Sequence, residues 1–455
     1  MLKSIIKNHT LLVILILSFI LAIYRVWEPA VIFTDELFIE DISRAMAEGG
    51  SWIIPKIDGI PYLAKPPLLY WITAPALSAG IAELSSAPSV WLLRLPMVTT
   101  GILLAWVTYA LTTLWFSRKA ALWATLFLVT GAPYIYFTKT ANWDILNTFL
   151  CALLFYLYNL RHKKWVYFYF VSITLGLSVL NRSYLGLIPL AAITMEHLVF
   201  PTRKLPVNHF IWGIILFFSI ILPWHIFAYV EAPKEFVNDY LSLVFPFHTA
   251  GLVPGDESTS PLFYLSLFFF FPPAIFGIIQ LIKLFKQKLS PTTIQLAGWI
   301  IIPFIVLTIS QTRHEWYALP LIVPFSILAG VFVEAQIKGK TSIQRSLVIF
   351  ISIACIITGP LALLTQPLPE APIITIVNDF KIQHHNTPLY QWRYPLIPTT
   401  RYYPKIQVHT LSSKAEITSP LYMIIRQDDA YDFLNTFNTK VVTETDTLYL
   451  LHISP

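Results

Sequence analysis

One pattern restricts this chain more than any other: apolar runs of roughly 20 residues, parted by short polar breaks. That is the length a helix needs to cross a hydrocarbon core, where backbone polar groups must be satisfied inside the segment itself. Runs at 10–33, 91–116, 120–138, 145–160, 165–180, 184–200, 210–230, 262–282, 292–312, 315–333 and 346–364 meet this criterion, which predicts about eleven spans. The stretch from Leu68 to Ile81 is too short to cross and reads as interfacial, with Tyr70 and Trp71 suited to a lipid boundary. Composition agrees, since 56% of the residues are hydrophobic and 12% charged, against about 25% charged in a soluble chain that must cover its surface. A set of soluble domains is excluded. Cys151 and Cys355 both lie in apolar runs, so neither a disulfide framework nor a cysteine zinc site follows.

Lys and Arg gather in alternate loops, and their side of the membrane gives the orientation. With the N-terminus inside, groups such as Lys3/Lys7, Arg118/Lys119, Lys163/Lys164 and Lys338/Lys340 fall on the cytoplasmic side, where Glu196 and Glu334 are the acids. The net charge of +6 is therefore an average over a basic inner face and an acidic outer one, and it implies no nucleic-acid partner. The first run has no small-residue cleavage site before Tyr24 and Arg25 and reads as an uncleaved signal anchor. Four segments come to lie outside: 34–90, the short turn from Lys139 to Asp144, the loop 231–261, and everything after 365. In the last of these, β-type runs at Ile373 to Val377, Gln407 to Leu411, Tyr422 to Arg426 and Thr447 to Ile453 alternate with polar breaks and a helical stretch at Asp429 to Phe437. The expected fold class is mainly α: a polytopic membrane bundle over residues 1–364, followed by a small extracytoplasmic α/β domain over 365–455.

The segment Phe33 to Arg44 holds most of the polar chemistry. Thr34 can cap a helix, Asp35 and Glu36 suit its positive first turn, and Phe33 with Phe38 can form a staple. Gly49 and Gly50 stop the helix, and Glu40 with Arg44, one turn apart, reads as a structural ion pair. The plain reading of Asp35 and Glu36 is dipole complementation; the chemical one is an acid at the mouth of the first span. Asp58-Gly59 is a tight-turn signal. Lys65, ahead of Pro66 and Pro67, sits on extended backbone near the membrane surface, where it can meet either ordinary headgroups or a substrate lipid phosphate.

The run TDELFIEDISRAMAEGGSWIIPKIDGIPYLAKPPLLYWITA resembles the first outer loop of the polyprenyl-phosphate-sugar-dependent glycosyltransferases of the protein mannosyltransferase type, and is particularly similar to the lipid A aminoarabinose transferases. The shared order is Asp-Glu, an amphipathic helix, Gly-x-Trp, a turn, then Lys-Pro-Pro-Leu-x-Tyr-Trp. The resemblance continues through Arg94-Leu95-Pro96, Thr140 to Asp144, Pro223-Trp224-His225 and Tyr317 to Pro320, and covers roughly residues 10–335. It implies a GT-C type fold, with Asp35 as the essential acid, Asp144 as the second acid, and Lys65 as the lysine that holds the lipid phosphate. Two departures stand out. Ala64 replaces an acid that many relatives carry before Lys-Pro-Pro, which puts a metal site in doubt. Asn181-Arg182-Ser183-Tyr184 stands where Lys-Gly-Pro is common, so Arg182 keeps the charge on a different backbone.

Sugar transfer from a polyprenyl phosphate needs a cation for the departing phosphate, a group that orients the acceptor oxygen, and a path for the lipid tail. Asp35 and Asp144 are the candidate catalytic residues, and Glu36, Tyr62, Lys65, Arg94, Arg182, Arg313, His314 and Tyr317 the candidate substrate-binding ones. The turn carrying Arg313 and His314 reads equally as an interfacial anchor, and the loop Val237 to Pro261 as a lid or a solvated connector. No His-x-x-x-His or Glu-x-x-His pair argues for a metal, so no cofactor is required, while a divalent cation stays compatible. The expected activity moves a sugar from an undecaprenyl-type phosphate to lipid A, a protein or another envelope acceptor, at the outer face of a bacterial inner membrane. A transporter is the main alternative, and a scaffold that has lost catalysis the second. Against the transporter, the acids sit at span ends and in outer loops rather than near span centres.

Overall fold

The structure is a computed structural model that describes residues 9–27, 34–57, 59–79, 90–161, 163–201, 206–241, 271–309, 315–339, 341–365, 376–377, 380, 383–384, 387–392, 408–411, 413–445 and 448–454. A helical bundle comes first. Helix α1 is His9–Ile23 and α2 is Thr34–Ala47, followed by the hairpin β1 (Lys56–Ile57) and β2 (Ile60–Pro61) and by α3 (Leu68–Ser78). Next come α4 (Val90–Trp115), α5 (Arg118–Thr130), α6 (Ala132–Thr138), α7 (Trp143–Leu160), α8 (Val166–Arg182), α9 (Ile188–Val199) and α10 (Val207–Glu231). The bundle is completed by α11 (Pro273–Phe285), α12 (Pro291–Ile309), α13 (Ile322–Gly339) and α14 (Ser342–Thr365).

Among the described residues, seven helical stretches are long and apolar enough to cross a membrane, or eight if α5 and α6, bent by 62° at Gly131, form one span. About eleven were expected. Part of the difference is α1 and α11, which are too short as described to cross, while residues 28–33 and 262–270 of their apolar runs lie outside the described residues. The rest lies in 166–199, expected as two spans, where α8 and α9 are joined through the 3-10 turn Ser183–Leu187 and meet the length and composition criterion as a single stretch. The chain doubles back at this turn: a Cβ on Gly186 would come within 2.4 Å of the Ser178 carbonyl. Helices α10 and α14 bury only 11% of their most apolar windows, so they turn their side chains outward, as lipid-facing helices must. The other spans share one continuous apolar core.

Helix α2 and the hairpin follow the sequence reading. Gly49 at φ 99° ends the helix region, and Gly59 at φ 81° supplies the left-handed position of the two-residue turn. Glu40 and Arg44 form the expected i,i+4 pair, with Arg44 Nε donating to Glu40 Oε1 at 2.7 Å. The Phe33 staple and Asp58 lie outside the described residues. Tyr70, expected at a lipid boundary, is instead fully buried with its ring edge-on to Trp143 at 6.0 Å.

The C-terminal part has its own core, built on a five-stranded mixed sheet ordered β4-β3-β5-β7-β6. The strands are β3 (Leu389–Trp392), β4 (Val408–Leu411), β5 (Leu421–Arg426), β6 (Asn438–Glu444) and β7 (Leu448–Ser454), with α15 (Gln427–Thr436) before β6. Strand β3 pairs in parallel with β4 and β5, and β7 pairs antiparallel with β5 and β6. One expected strand is corrected: Ile376 and Val377 are helical, and 371–375 lie outside the described residues.

Candidate active site

Two buried ion pairs organise the end of the bundle near α2. In the first, Glu36 and Arg94 meet with Nε to Oε1 and Nη2 to Oε2, each 2.7 Å, and both side chains are essentially inaccessible at 1% and 0% exposed. Glu36 Oε1 also accepts the Ala141 backbone N–H at 2.9 Å, while Arg94 Nη1 donates to the Val26 carbonyl at 3.0 Å. One carboxylate thereby ties α2, α4 and the 139–142 turn together. Both residues were expected among the substrate-binding groups. In this structure their charges face each other in a bidentate pair that braces these elements.

Asp35, the residue before Glu36, is the second residue of α2, and its backbone is fixed by this brace. Its side chain lies outside the described residues, as do Arg313, His314 and residues 242–261 of the expected lid.

The second pair is built on the start of α7. Asn142 caps that helix, accepting from the backbone N–H groups of Asp144 and Ile145 at 3.0 and 2.9 Å, while its own amide donates to the Phe137 and Thr140 carbonyls at 2.8 Å each. Asp144 sits in the first turn, where the helix dipole favours a negative charge. Its carboxylate pairs with Arg182 Nη2 at 3.0 Å (Oδ1) and 3.2 Å (Oδ2). The Arg182 guanidinium also lies 4.8 Å over the Tyr317 ring, so it meets an anion in its plane and a π-face on its side.

Lys65 reaches the same helix start, with Nζ 5.9 Å over the Trp143 ring. Trp143 is held in place by Tyr70 edge-on and by Asn181, whose amide donates to the Trp143 carbonyl at 2.9 Å. Lys65 and Arg182 therefore converge on adjacent residues of one helical turn, Trp143 and Asp144. Tyr62 is half-buried and stacks on Phe38 of α2 at 6.0 Å, which links the loop carrying Lys65 to the helix carrying Asp35.

Sequence reasoning assigned no role to Trp143, although Asn142-Trp143-Asp144 was in view; only the fold brings Lys65 onto its ring. It also passed over Lys139, which is buried and donates to the Tyr24 carbonyl at 3.0 Å. A third group was visible only in part. Trp224 donates from its indole N–H to the Ile53 carbonyl at 2.9 Å, and His225 shares a 2.7 Å hydrogen bond between Nε2 and the Tyr240 hydroxyl. Among the described residues, no three His, Cys, Asp or Glu side chains converge as a metal site.

Two cations, an acid and an aromatic wall at one end of a bundle of membrane helices suit an anionic headgroup with an apolar tail. Fold and site together define a polytopic membrane protein with a buried charged cluster at one end of its helical bundle. Residues 64–227 match the family model described as dolichyl-phosphate-mannose-protein mannosyltransferase. The chain is 26% identical over 379 residues to an undecaprenyl phosphate-alpha-4-amino-4-deoxy-L-arabinose arabinosyl transferase of Proteus mirabilis, covering 76% of this chain and 63% of that protein's length. Among solved structures, it superposes on the ArnT of Cupriavidus metallidurans bound to undecaprenyl phosphate with a TM-score of 0.67 at 16% identity, over 98% of this chain and 97% of that one. The oligosaccharyltransferase of Archaeoglobus fulgidus matches with a TM-score of 0.60 at 14% identity, over 92% of this chain and 66% of that one. These likenesses show an ArnT-like GT-C fold, and the chain spans less than two thirds of the length of the arabinosyl transferase it matches.

Proposed function

We propose that the protein transfers a sugar from a polyprenyl phosphate of the undecaprenyl type to an envelope acceptor, lipid A phosphate or a protein hydroxyl, at the outer face of a bacterial inner membrane. The observation that carries this reading is the convergence of Lys65 and Arg182 on the first turn of α7, beside Asp144. It is supported by the likeness to an aminoarabinose transferase and by a fold shared with a transferase that binds undecaprenyl phosphate.

In the reaction, an acceptor oxygen forms a bond to the anomeric carbon while the bond from that carbon to the phosphate oxygen breaks, and the electron pair leaves with the polyprenyl phosphate. Lys65 and Arg182 stabilise the charge that develops on that phosphate; a low-dielectric, pre-arranged pair of donors is the effective way to do so. Lys65 supplies a mobile point charge and Arg182 a planar fork already oriented by Asp144 and Tyr317. Asp144 sets the direction of Arg182. Asp35 takes the proton from an acceptor hydroxyl, or positions the acceptor when its attacking atom is already a phosphate oxygen. The C-terminal sheet, residues 365–455, forms a separate outer domain beside the catalytic bundle of 1–364.

Asp35→Asn tests the assignment. In proteoliposomes the variant is expected to insert and melt as the wild type does while transferring no sugar; full transfer would remove Asp35 from the reaction. Mass spectrometry of lipid A, glycoproteins and surface polymers from a deletion strain identifies the acceptor by the class that loses its sugar.

A further inference from the structure

Two consecutive residues at the end of α8 bind two consecutive residues at the start of α7. Asn181 Nδ2 donates to the Trp143 carbonyl at 2.9 Å, and Arg182 pairs with the Asp144 carboxylate, both across 38 residues of sequence. The α-helical ladder that would otherwise hold Asn181 and Arg182 stops at the next residue, because Ser183 turns the chain out of α8 at φ 50° and ψ −129°.

The two contacts differ in kind. Arg182 meets a side chain, and a guanidinium can share its donors between that carboxylate and an arriving phosphate. Asn181 meets backbone, so its bond fixes the register of the two helix ends whatever Arg182 is bound to. Through Trp143 it also bears on Lys65, whose Nζ lies 5.9 Å over that ring. The Trp143 indole N–H finds no hydrogen-bond partner among the described residues, so the ring is placed by the backbone that carries it and by the edge of Tyr70.

A purely structural role is a poor account of an asparagine here. The side chain is fully buried, its Oδ1 finds no partner among the described residues, and asparagine is a weak helix former. A buried acceptor without a donor destabilises by more than one ordinary hydrogen bond contributes. An apolar side chain of the same size would therefore suit the fold as well or better.

We infer that Asn181 is a positioning residue that holds Lys65 and Arg182 in register, so that both address one donor phosphate. Its role rests on the phosphate-binding reading of those two cations given above, and it acts through Trp143 and the last turn of α8 without touching the lipid.

The test compares undecaprenyl phosphate with undecaprenol, which differ only in the group the two cations would contact. Binding of each lipid to the full-length protein in detergent is measured by microscale thermophoresis, alongside the melting temperature. Wild type is expected to prefer the phosphate. Asn181→Leu removes the donor and the unpaired acceptor at similar volume. It is expected to reduce that preference about tenfold, with undecaprenol binding unchanged and the melting temperature equal to wild type or higher. Asn181→Ala, which asks less of the packing, carries the same expectation for the preference. In a Lys65→Ala, Arg182→Ala background no cation remains to be positioned, and Asn181→Leu should then move the preference by less than about twofold. An unchanged preference in both single variants overturns the inference. So does an Asn181→Leu protein that melts below wild type and binds both lipids equally less well, which is a structural defect. If the Lys65→Ala, Arg182→Ala protein loses the preference and Asn181→Leu keeps it, the positioning role falls and the phosphate-binding reading stands. If the protein lacking both cations keeps the preference, that reading fails and takes the inference with it.

Discussion

Replacing Glu36 by Gln tests whether the brace beside Asp35 is electrostatic. The carboxylate accepts three hydrogen bonds, two from Arg94 at 2.7 Å and one from Ala141 N–H at 2.9 Å, and neither side chain of the pair reaches solvent. Gln keeps one acceptor oxygen and turns an NH2 group toward an Arg94 donor, so the guanidinium loses its counter-charge and at least one partner. Removing one member of a buried ion pair costs about 3–5 kcal/mol, chiefly because the other charge is left uncompensated. The double variant Glu36→Gln, Arg94→Met removes the stranded cation at similar volume, and Gln can still accept from Ala141. It still loses the Arg94 bond to the Val26 carbonyl, worth about 1 kcal/mol. The double variant should therefore be more stable than the single one by about 2 kcal/mol or more. Reversible unfolding of the full chain in mixed detergent micelles, followed by tryptophan fluorescence, measures both. A cost below about 1 kcal/mol for Glu36→Gln, or a double variant less stable than the single, would refute a charge-based brace.

Other consequences are open to measurement. Gly186→Ala places a Cβ 2.4 Å from backbone atoms of Ser178, which cannot yield as a side chain would; it should cost about 3 kcal/mol and lower the melting temperature and yield together. Asn142→Ala removes the cap of α7, so a loss of about 1–2 kcal/mol in the same unfolding assay is expected, together with weakened phosphate preference as Asp144 and Arg182 drift; unchanged phosphate binding would detach the cap from the site. For orientation, cysteines at positions 58 and 420 should react with an impermeant reagent from outside, and cysteines at 163 and 340 only after the membrane is opened. Labelling of position 58 from the cytoplasm would invert the assigned topology.

The sequence determined the kind of solvent this chain folds in, because a run of about 20 apolar residues answers to bilayer thickness rather than to any particular neighbour. Asp144, Lys65 and Arg182 were marked in it by the resemblance to the polyprenyl-phosphate-sugar glycosyltransferases. Local elements with local causes were legible as well. The stop of α2, the turn at Gly59, the Glu40–Arg44 pair, and strands β4, β5 and β7 all rest on residues within a few positions of one another. Strands β3 and β6 were not legible: the first is four residues long, and β6, Asn438–Glu444, is mostly polar and lies at the sheet edge, where no buried face imposes alternation.

What the tertiary structure decided is which charge meets which. Glu36 and Arg94 are 58 residues apart, and Asp144 and Arg182 are 38 apart. Nothing in the sequence distinguishes a carboxylate that faces a substrate from one closed on an arginine, because Coulomb energy depends on distance and burial, both set by how the spans pack. The same holds for Ser183. As a letter in the sequence it was a departure from a common glycine; only the fold shows the left-handed backbone kept at a serine.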